Sequence, residues 1–199
     1  GFIGEFDQGL LEESVESIKH RGPDDSGFFY DSKNSVGLGF SRLAIQDLSQ
    51  AGHQPMISDD NKVAIVFNGE IYNVNSLREK LQLAGYKFNG TSDTEVLLKM
   101  YLHYGLKMLP QLNGMFAISI WNSTNKELIL IQDAHGIKPL YYSQSNVGFV
   151  FASELKAIMK ISGKFKSLNK EALMRYATYL WCPGSSTPAS NVYKVNAGE

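Results

Sequence analysis

The pattern of hydrophobic and polar positions predicts a buried strand followed by a helix near the middle of this chain. Residues 63–67, Val-Ala-Ile-Val-Phe, form an unbroken apolar run rich in β-branched side chains, which is typical of a strand buried on both faces. Ser76 and Glu79 then stand at the spacing of a helix capping box, and Gly85 provides a C-terminal stop. The pattern therefore places residues 68–70 in a short loop where the buried strand ends.

Further apolar segments, separated by polar turns, predict about eight strands in antiparallel pairs. Helical periodicity appears in separate places rather than after every strand. This order excludes the βαβ alternation of a doubly wound sheet and predicts an α+β fold, with two packed antiparallel sheets and helices outside. Strands are predicted at residues 1–6, 28–30, 36–40, 63–67, 115–121, 128–131, 139–142 and 147–151, with a last one from 191, and helices at 10–20, 76–84, 154–160 and 169–180, with another after a second capping box at 92–95.

The composition is that of an ordinary globular protein. The 199 residues are 43% hydrophobic, and the formal net charge of -1 offers no basic surface for nucleic acid or for an acidic membrane. No apolar run reaches the roughly 18 residues of a membrane span. The single Cys182 excludes an internal disulfide, and the four histidines are too far apart for a metal site. These features predict a cytoplasmic protein without metal, nucleic-acid or membrane partners.

The candidate chemistry lies in Asn68, Gly69 and Glu70, at the end of the buried strand. An Asn amide and a Gly N–H are two neutral donors side by side, as an oxyanion hole requires, and the Glu adds a negative charge. An Asn-Gly pair after a strand is also typical of a tight hairpin turn. Asp93, in the first turn of a helix, is equally typical of a cap that interacts with the helix dipole. On these residues alone both interpretations stay open.

Eight short motifs, in order along the chain, resemble the successive motifs of class II glutamine amidotransferases. They resemble in particular the N-terminal glutaminase domain of glutamine-hydrolysing asparagine synthetases. The resemblance is dense over residues 1–165, which it implies to be a glutaminase domain, and residues 166–199 resemble a connection and the start of a synthetase domain. The motifs occupy residues 1–4, 20–24, 42–45, 54–56, 67–73, 92–95, 112–117 and 136–142.

The resemblance implies a four-layer αββα sandwich of the N-terminal nucleophile hydrolase fold. In that family a first-residue Cys attacks the side-chain amide of glutamine, its own α-amine serves as the base, a thioester forms and ammonia leaves. The implied function is hydrolysis of L-glutamine to glutamate and ammonia, which an ATP-dependent amide synthetase domain of the asparagine synthetase type consumes. Which acceptor receives the ammonia stays open.

The same resemblance assigns roles to individual residues. Asn68 and the Gly69 N–H would form the oxyanion hole. Arg42 would bind the α-carboxylate of glutamine, a task suited to a bidentate guanidinium. Glu70 and Asp93 would bind its α-ammonium group. The remaining residues implied to line the pocket are Leu43, Ile45 and Gln46.

The resemblance also sets expectations for cofactors and partners. It implies no cofactor and no metal for this domain, because ATP and Mg are expected only for the synthetase domain. The partners it implies are L-glutamine and a synthetase domain of the same longer chain. A homodimer is one further assembly to expect, since members of the family are often dimers.

The chain departs from the family pattern at one decisive position. The pattern has a Cys immediately before Gly1, and this chain begins at that Gly, so activity is expected only where such a Cys precedes it. The alternative is a catalytically inert glutamine-binding or scaffold domain. Cys182 is no substitute, because a Pro follows it and it has no free amine. Two smaller departures are Gln46, usually aliphatic, and Gln132, usually Arg.

Overall fold

The computed structural model describes residues 1–43, 50–163 and 167–199. The α-helices in these ranges are α1 (Gln8–Ser17), α2 (Val74–Leu83), α3 (Asp93–Tyr104), α4 (Leu155–Ser162) and α5 (Lys170–Tyr179). The strands are β1 (Phe2–Gly4), β2 (Asp25–Asp31), β3 (Val36–Arg42), β4 (Met56–Ile57), β5 (Val63–Ile71), β6 (Gly114–Asn122), β7 (Glu127–Gln132), β8 (Tyr141–Ser145), β9 (Gly148–Ala152) and β10 (Val192–Lys194).

The strands form two sheets in which neighbouring strands run antiparallel. The first sheet has the order β10-β8-β9-β1-β3-β2, and the second has the order β4-β5-β6-β7. The predicted fold class, α+β with two antiparallel sheets, is confirmed. The sequence pattern did not predict β4, because it is only two residues long. The strand expected from residue 191 becomes β10, the edge of the first sheet.

Three hydrophobic clusters show the layer order helix, sheet, sheet, helix. One cluster lies between the second sheet and the helices α2 and α3, and another lies between the first sheet and the helices α1 and α4. The third lies between the sheets, where Leu38 packs near the fully buried Trp121. The Trp121 Nε1–H also donates to Asp31 Oδ2 at 3.0 Å and so links the sheets. The αββα sandwich is therefore confirmed.

Helix α1 packs closely on the first sheet because β3 presents glycines to it. A Cβ atom at Gly39 would lie 2.5 Å from Val15 Cγ2, closer than side-chain atoms can approach. Leu11, on the same face of α1, is completely buried. The contact between helix and sheet therefore depends on the missing side chain.

The loop predicted at residues 68–70 is wrong, because β5 continues without interruption to Ile71. The reason is the length of β6, which offers a partner for every one of these residues. Gly69 lies opposite Phe116, and a Cβ atom at Gly69 would lie 2.8 Å from the Phe116 Cα. The Asn-Gly pair thus allows two strands to approach each other closely, and it does not form a hairpin turn.

The first predicted capping box is also wrong, whereas the N-cap of the second is confirmed. Helix α2 begins at Val74, so Ser76 lies inside it, and Asn73 at the N-cap instead bonds across the chain to the 111–113 segment. Ser92 caps α3 by accepting from the Thr94 N–H at 3.1 Å. Tertiary hydrogen bonds of Asn73 thus decide where α2 starts.

Candidate functional site

A cavity of about 330 Å³ lies between the two sheets, and it brings together most of the residues predicted to form a site. Its wall combines the end of β3, the second half of β5, part of β6 and β9, and the first turn of α3, and it extends to one face of α1 and to Ala157 of α4. Ile45 and Gln46 lie outside the described residues. The predicted residues that line the cavity are Arg42, Leu43, Asn68, Gly69, Glu70 and Asp93.

Strand geometry explains why side chains of β5 share this cavity. Successive side chains of a strand point to opposite faces of its sheet. Ile65 and Phe67 pack toward the helices, whereas Val66 packs between the sheets. Asn68 and Glu70 follow Val66 at a spacing of two, so they face the first sheet across the cavity.

The side-chain amide of Asn68 is poised as a hydrogen-bond donor. Its Nδ2 atom is buried, and it has no hydrogen-bond partner among the residues that the structure describes. A buried donor left unpaired costs about 1–3 kcal/mol, so a folded protein retains one chiefly where a ligand will accept from it. Asn68 therefore offers a preformed donor to the cavity.

The backbone N–H of Gly69 points away from β6. Residues facing each other in antiparallel strands alternate between hydrogen-bonded and non-hydrogen-bonded pairs. Both backbone groups of Phe116 bond to Asp133 on the β7 side, with Phe116 N to Asp133 Oδ2 at 3.2 Å and Asp133 N to Phe116 O at 2.9 Å. Gly69 and Phe116 thus form a non-hydrogen-bonded pair. The Gly69 N–H is consequently directed at the other edge of β5, beside Asn68.

Two carboxylates stand on one side of the cavity. Asp93 is only 8% exposed, and Glu70 is half-buried. Burial raises the pKa of Asp93, the charge of Glu70 acts in the same direction, and the backbone N–H groups of Ile71 and Thr94 act against both. An ammonium group between the two carboxylates would relieve their repulsion.

A buried arginine supplies the opposite charge. Arg42 is the last residue of β3, it is 8% exposed, and it follows Leu38 at a spacing that keeps both side chains on the face toward the second sheet. Its positive charge also helps to lower the pKa of Asp25, which lies opposite it on β2, although the hydrogen bond from His53 to Asp25 has the larger effect. The cavity therefore presents both charge types to a ligand.

Gly1 forms part of the cavity wall. Its backbone nitrogen donates to the Phe151 carbonyl at 2.8 Å, and its own carbonyl accepts from the Phe151 N–H at 2.9 Å. Because β1 lies between β9 and β3 inside the first sheet, the nitrogen of Gly1 is held firmly beside the cavity.

Comparison with known proteins identifies the family. The model of the glutamine amidotransferase domain matches residues 2–199. The chain belongs to the class II glutamine amidotransferases. This amidotransferase domain is 42% identical over 208 aligned positions to the glutamine-hydrolysing asparagine synthetase 1 of Bacillus subtilis (strain 168), covering 100% of this chain and 32% of that protein. It is 38% identical to the amidase chry2 of Gibberella zeae, over 94% of this chain and 27% of that protein. The domain thus spans about a third of the length of these curated relatives.

A solved structure supports the fold assignment of the amidotransferase domain. The glutamine phosphoribosylpyrophosphate amidotransferase from B. subtilis superimposes with a TM-score of 0.67 at 23% identity, over 79% of this chain and 42% of that chain. At this identity the likeness concerns the fold alone. The N-terminal nucleophile hydrolase fold expected from the motifs is confirmed.

Several residues of the amidotransferase pocket had no predicted role. Gln54 and Thr94 both lie within motifs that carry the family resemblance, so their positions were a usable signal. Ser119, on β6, has a buried Oγ without a hydrogen-bond partner in the described part of the chain, and no sequence signal marked it. Lys138 also lies within one of these motifs, at residues 136–142, so its position was a usable signal too. All four line the cavity.

Other candidates lie away from the described cavity wall. The half-buried Cys182 contacts the Ala172 carbonyl through Sγ at 3.3 Å, and His20 bonds to Glu154 at 3.0 Å. Gln132, which stands where the family usually has Arg, is buried, and its Nε2 donates to the Lys138 carbonyl at 2.6 Å. Within residues 1–43, 50–163 and 167–199, no cluster of three His, Cys, Asp or Glu side chains could hold a metal ion, and no helix is long and apolar enough to cross a membrane.

Proposed function

We propose that this chain is the glutaminase domain of a longer amide synthetase of the asparagine synthetase type. In this function it hydrolyses L-glutamine to glutamate and ammonia, and an ATP-dependent synthetase domain of the same chain consumes the ammonia. The observation that carries the proposal is the single cavity in which Arg42, the pair Glu70 and Asp93, and the donors of Asn68 and Gly69 meet. The names of the curated relatives support the same substrate.

Glutamine fits this set of groups through its two charges. The guanidinium of Arg42 binds the α-carboxylate, and the carboxylates of Glu70 and Asp93 bind the α-ammonium group. Leu43 lines the cavity beside the ligand. The side-chain amide of glutamine is then directed toward Asn68 and Gly1.

The reaction needs a Cys joined to the nitrogen of Gly1. The α-amine of this Cys accepts the proton of its thiol, and the sulfur bonds to the amide carbon of glutamine. The amide oxygen becomes an oxyanion that Asn68 Nδ2 and the Gly69 N–H stabilise. Collapse of this intermediate breaks the C–N bond, and ammonia leaves with the proton held by the α-amine. Water then cleaves the thioester, releasing glutamate and restoring the thiol.

Intact mass and product release test the proposal. One version of the chain carries a Cys before Gly1, and a matched control carries an Ala at that place. With 6-diazo-5-oxo-L-norleucine, the Cys version should gain a single adduct on its N-terminal peptide, and with glutamine it should release equimolar glutamate and ammonia. The Ala version should bind glutamine in calorimetry without either reaction.

Two other results would contradict the proposed function. Absence of both adduct and glutamate with the Cys version, while glutamine still binds, would favour the inert glutamine-binding domain. Absence of glutamine binding in both versions would remove glutamine as the ligand.

The proposal also covers the rest of the longer protein. We expect no cofactor at the glutaminase site, with ATP and Mg confined to the synthetase domain. Residues 1–165 then form the glutaminase domain, and residues 166–199, which supply β10 to the edge of its first sheet, lead into the synthetase domain. Light scattering of the longer chain, in a buffer that matches the pH and ionic strength of the cytoplasm, tests whether it forms a homodimer.

A further inference from the structure

The backbone pairing on the outer edge of β5 stops just before the cavity. Strand β4 lies opposite β5 only at Met56, which faces Ile65, and at Ile57. The residue before Met56 is Pro55, which has no N–H to donate. The next outward-directed backbone groups of β5, those of Phe67, therefore need another partner.

The side chain of Gln54 provides that partner. The Phe67 N–H donates to Gln54 Oε1 at 2.7 Å, and Gln54 Nε2 donates to the Phe67 carbonyl at 3.2 Å. This is the pair of hydrogen bonds that a neighbouring strand would form, made here by a primary amide that is 6% exposed. Gln54 thus extends the edge strand to the residue directly before Asn68.

The same amide reaches the first turn of α3. Gln54 Nε2 also donates to Thr94 Oγ1 at 3.0 Å, and Thr94 directly follows Asp93 in the first turn of α3. Thr94 is 2% exposed, so water does not compete for this bond. One buried side chain therefore connects the neighbour of Asn68 with the neighbour of Asp93.

The segment that carries Gln54 is itself fixed to the first sheet. His53 Nδ1 lies 2.6 Å from Asp25 Oδ2 on β2. A Cβ atom at Gly27 would lie 2.7 Å from His53 Nε2, so the segment packs directly on the backbone of β2. Residues 53 and 54 thus contact both sheets, and Gln54 has little freedom to move.

We propose that Gln54 is a positioning residue that sets the distance between the oxyanion donors and the carboxylate that binds the α-ammonium group. This inference rests on the proposed function. Without the amide, Phe67 and Thr94 lose their common partner, and the Ile71 N–H, which donates to the Asp93 carboxylate, remains as a direct bond between β5 and the first turn of α3.

A pair of ligands and a pair of variants test this role in the Gly1–Glu199 chain. Glutaramate equals glutamine without its α-amine, so it uses the Asn68 side of the cavity but not Asp93. Gln54→Met keeps the size of the side chain and removes its hydrogen bonds. It should weaken glutamine binding about tenfold and glutaramate binding less than about threefold in calorimetry.

Ser58→Ala is the matched control. It removes another buried side-chain acceptor on the same edge of β5, where the Val63 N–H donates to Ser58 Oγ at 3.0 Å, and Ser58 does not line the described cavity. It should lower the melting temperature as Gln54→Met does, and leave the ratio of the two affinities unchanged.

A conservative variant adds a pH readout. In Gln54→Glu the neutral acid can accept from the Phe67 N–H and donate to the Phe67 carbonyl, whereas the carboxylate repels that carbonyl. Burial favours the neutral acid at low pH. The affinity of Gln54→Glu for glutamine, relative to that of the unaltered chain at the same pH, should therefore rise as the pH is lowered from 8 to 6.

The outcomes separate this inference from the proposed function. The positioning role would be overturned if the ratio of the affinities for glutamine and glutaramate were the same in Gln54→Met as in the unaltered chain. It would also be overturned if Ser58→Ala changed this ratio as much as Gln54→Met does. Either result would leave the proposed function intact. An unaltered chain that binds no glutamine would overturn both.

Discussion

The Asn68 amide combines burial with an unused donor, and these two properties make opposite demands on stability and on chemistry. An unpaired donor destabilises the folded state, whereas a donor directed at a developing oxyanion accelerates the reaction. A residue of this kind is expected to be important for rate and unimportant for stability. That combination distinguishes a catalytic role from a structural one.

Asn68→Ala should therefore lower kcat for glutamine hydrolysis by about 10²–10³ in the version with an N-terminal Cys. Its melting temperature should stay nearly the same, because the side-chain Nδ2 has no hydrogen-bond partner in the described region. Asn73→Ala is the control, since Asn73 donates to the Gln111 carbonyl at 2.9 Å and accepts from the Asn113 N–H at 3.0 Å. It should lower the melting temperature and leave kcat nearly unchanged. If Asn68→Ala lowered the melting temperature as much as Asn73→Ala does, this would contradict the catalytic role.

Asp93 is expected to make glutamine binding depend on pH. Because burial raises its folded-state pKa above the ordinary 3.8, the folded chain binds a proton where the unfolded chain has released it. Asp93 therefore favours folding at low pH, and this contribution disappears as the pH rises through the folded-state pKa. An α-ammonium ligand needs the charged form, so glutamine affinity should rise over the same interval.

Calorimetry of glutamine binding as a function of pH checks this expectation. Asp93→Asn should bind glutamine at least about tenfold more weakly at pH 7 and lose the rise in affinity with pH. Persistence of that rise in Asp93→Asn would assign it to another group.

At the scale of elements, the turn after β7 depends on one buried carboxylate. Asp133 is 1% exposed, and burial, which acts to raise its pKa, is outweighed by hydrogen bonds that hold the pKa below the ordinary value. The turn leads to Lys138 and Leu140, which line the cavity. The backbone N–H groups that donate to the carboxylate belong to Phe116, His135, Ile137 and Lys138.

Asp133→Asn should lower the free energy of unfolding by about 2–4 kcal/mol, because an amide oxygen accepts more weakly than a carboxylate and its NH₂ group faces donors. Since the folded-state pKa is lowered, the stability that Asp133 provides is present above pH 4 and is lost as the pH falls through the folded value. Urea denaturation at pH 7 and pH 3 measures both effects. The exposed Asp59→Asn is the control and should change stability by less than about 0.5 kcal/mol.

At the scale of the whole molecule, the cavity forms where the two sheets face each other, and each sheet contributes part of the site. The first sheet contributes Gly1 and Arg42, and the second contributes Asn68 and Glu70. No single element contains the site. The bond from Trp121 to Asp31, 90 residues apart in sequence, is one of the contacts that hold the sheets together.

Trp121→Phe should therefore lower the free energy of unfolding by about 2–4 kcal/mol, since it removes a hydrogen bond to a carboxylate and leaves a gap in the inter-sheet core. Trp181→Phe is the matched control, because Trp181 is 59% exposed. It should change stability by less than about 0.5 kcal/mol. Equal effects of the two substitutions in urea denaturation would show that the link between the sheets contributes nothing.

The sequence by itself determined the fold class, most element positions and the residue types of the site. Strong apolar runs in β5 and β6, helical periodicity in α1 and α5, and the order of the motifs were sufficient, because these signals are local. The same motifs indicated Arg42, Glu70 and Asp93 as groups for an α-amino acid. Local patterns could state which groups were present but not how they were arranged.

The tertiary structure alone decided the arrangement. The polar residues Asn68 to Glu70 look like the end of a strand in sequence, yet β6 pairs with them and turns their side chains into the cavity. Only the pairing shows that the Gly69 N–H points to the open edge, and only packing brings Gln54 between Phe67 and Thr94. Hydrogen bonds between residues 13 to 40 positions apart leave no periodic trace in a sequence, which is why the positioning of the site could not be predicted from it.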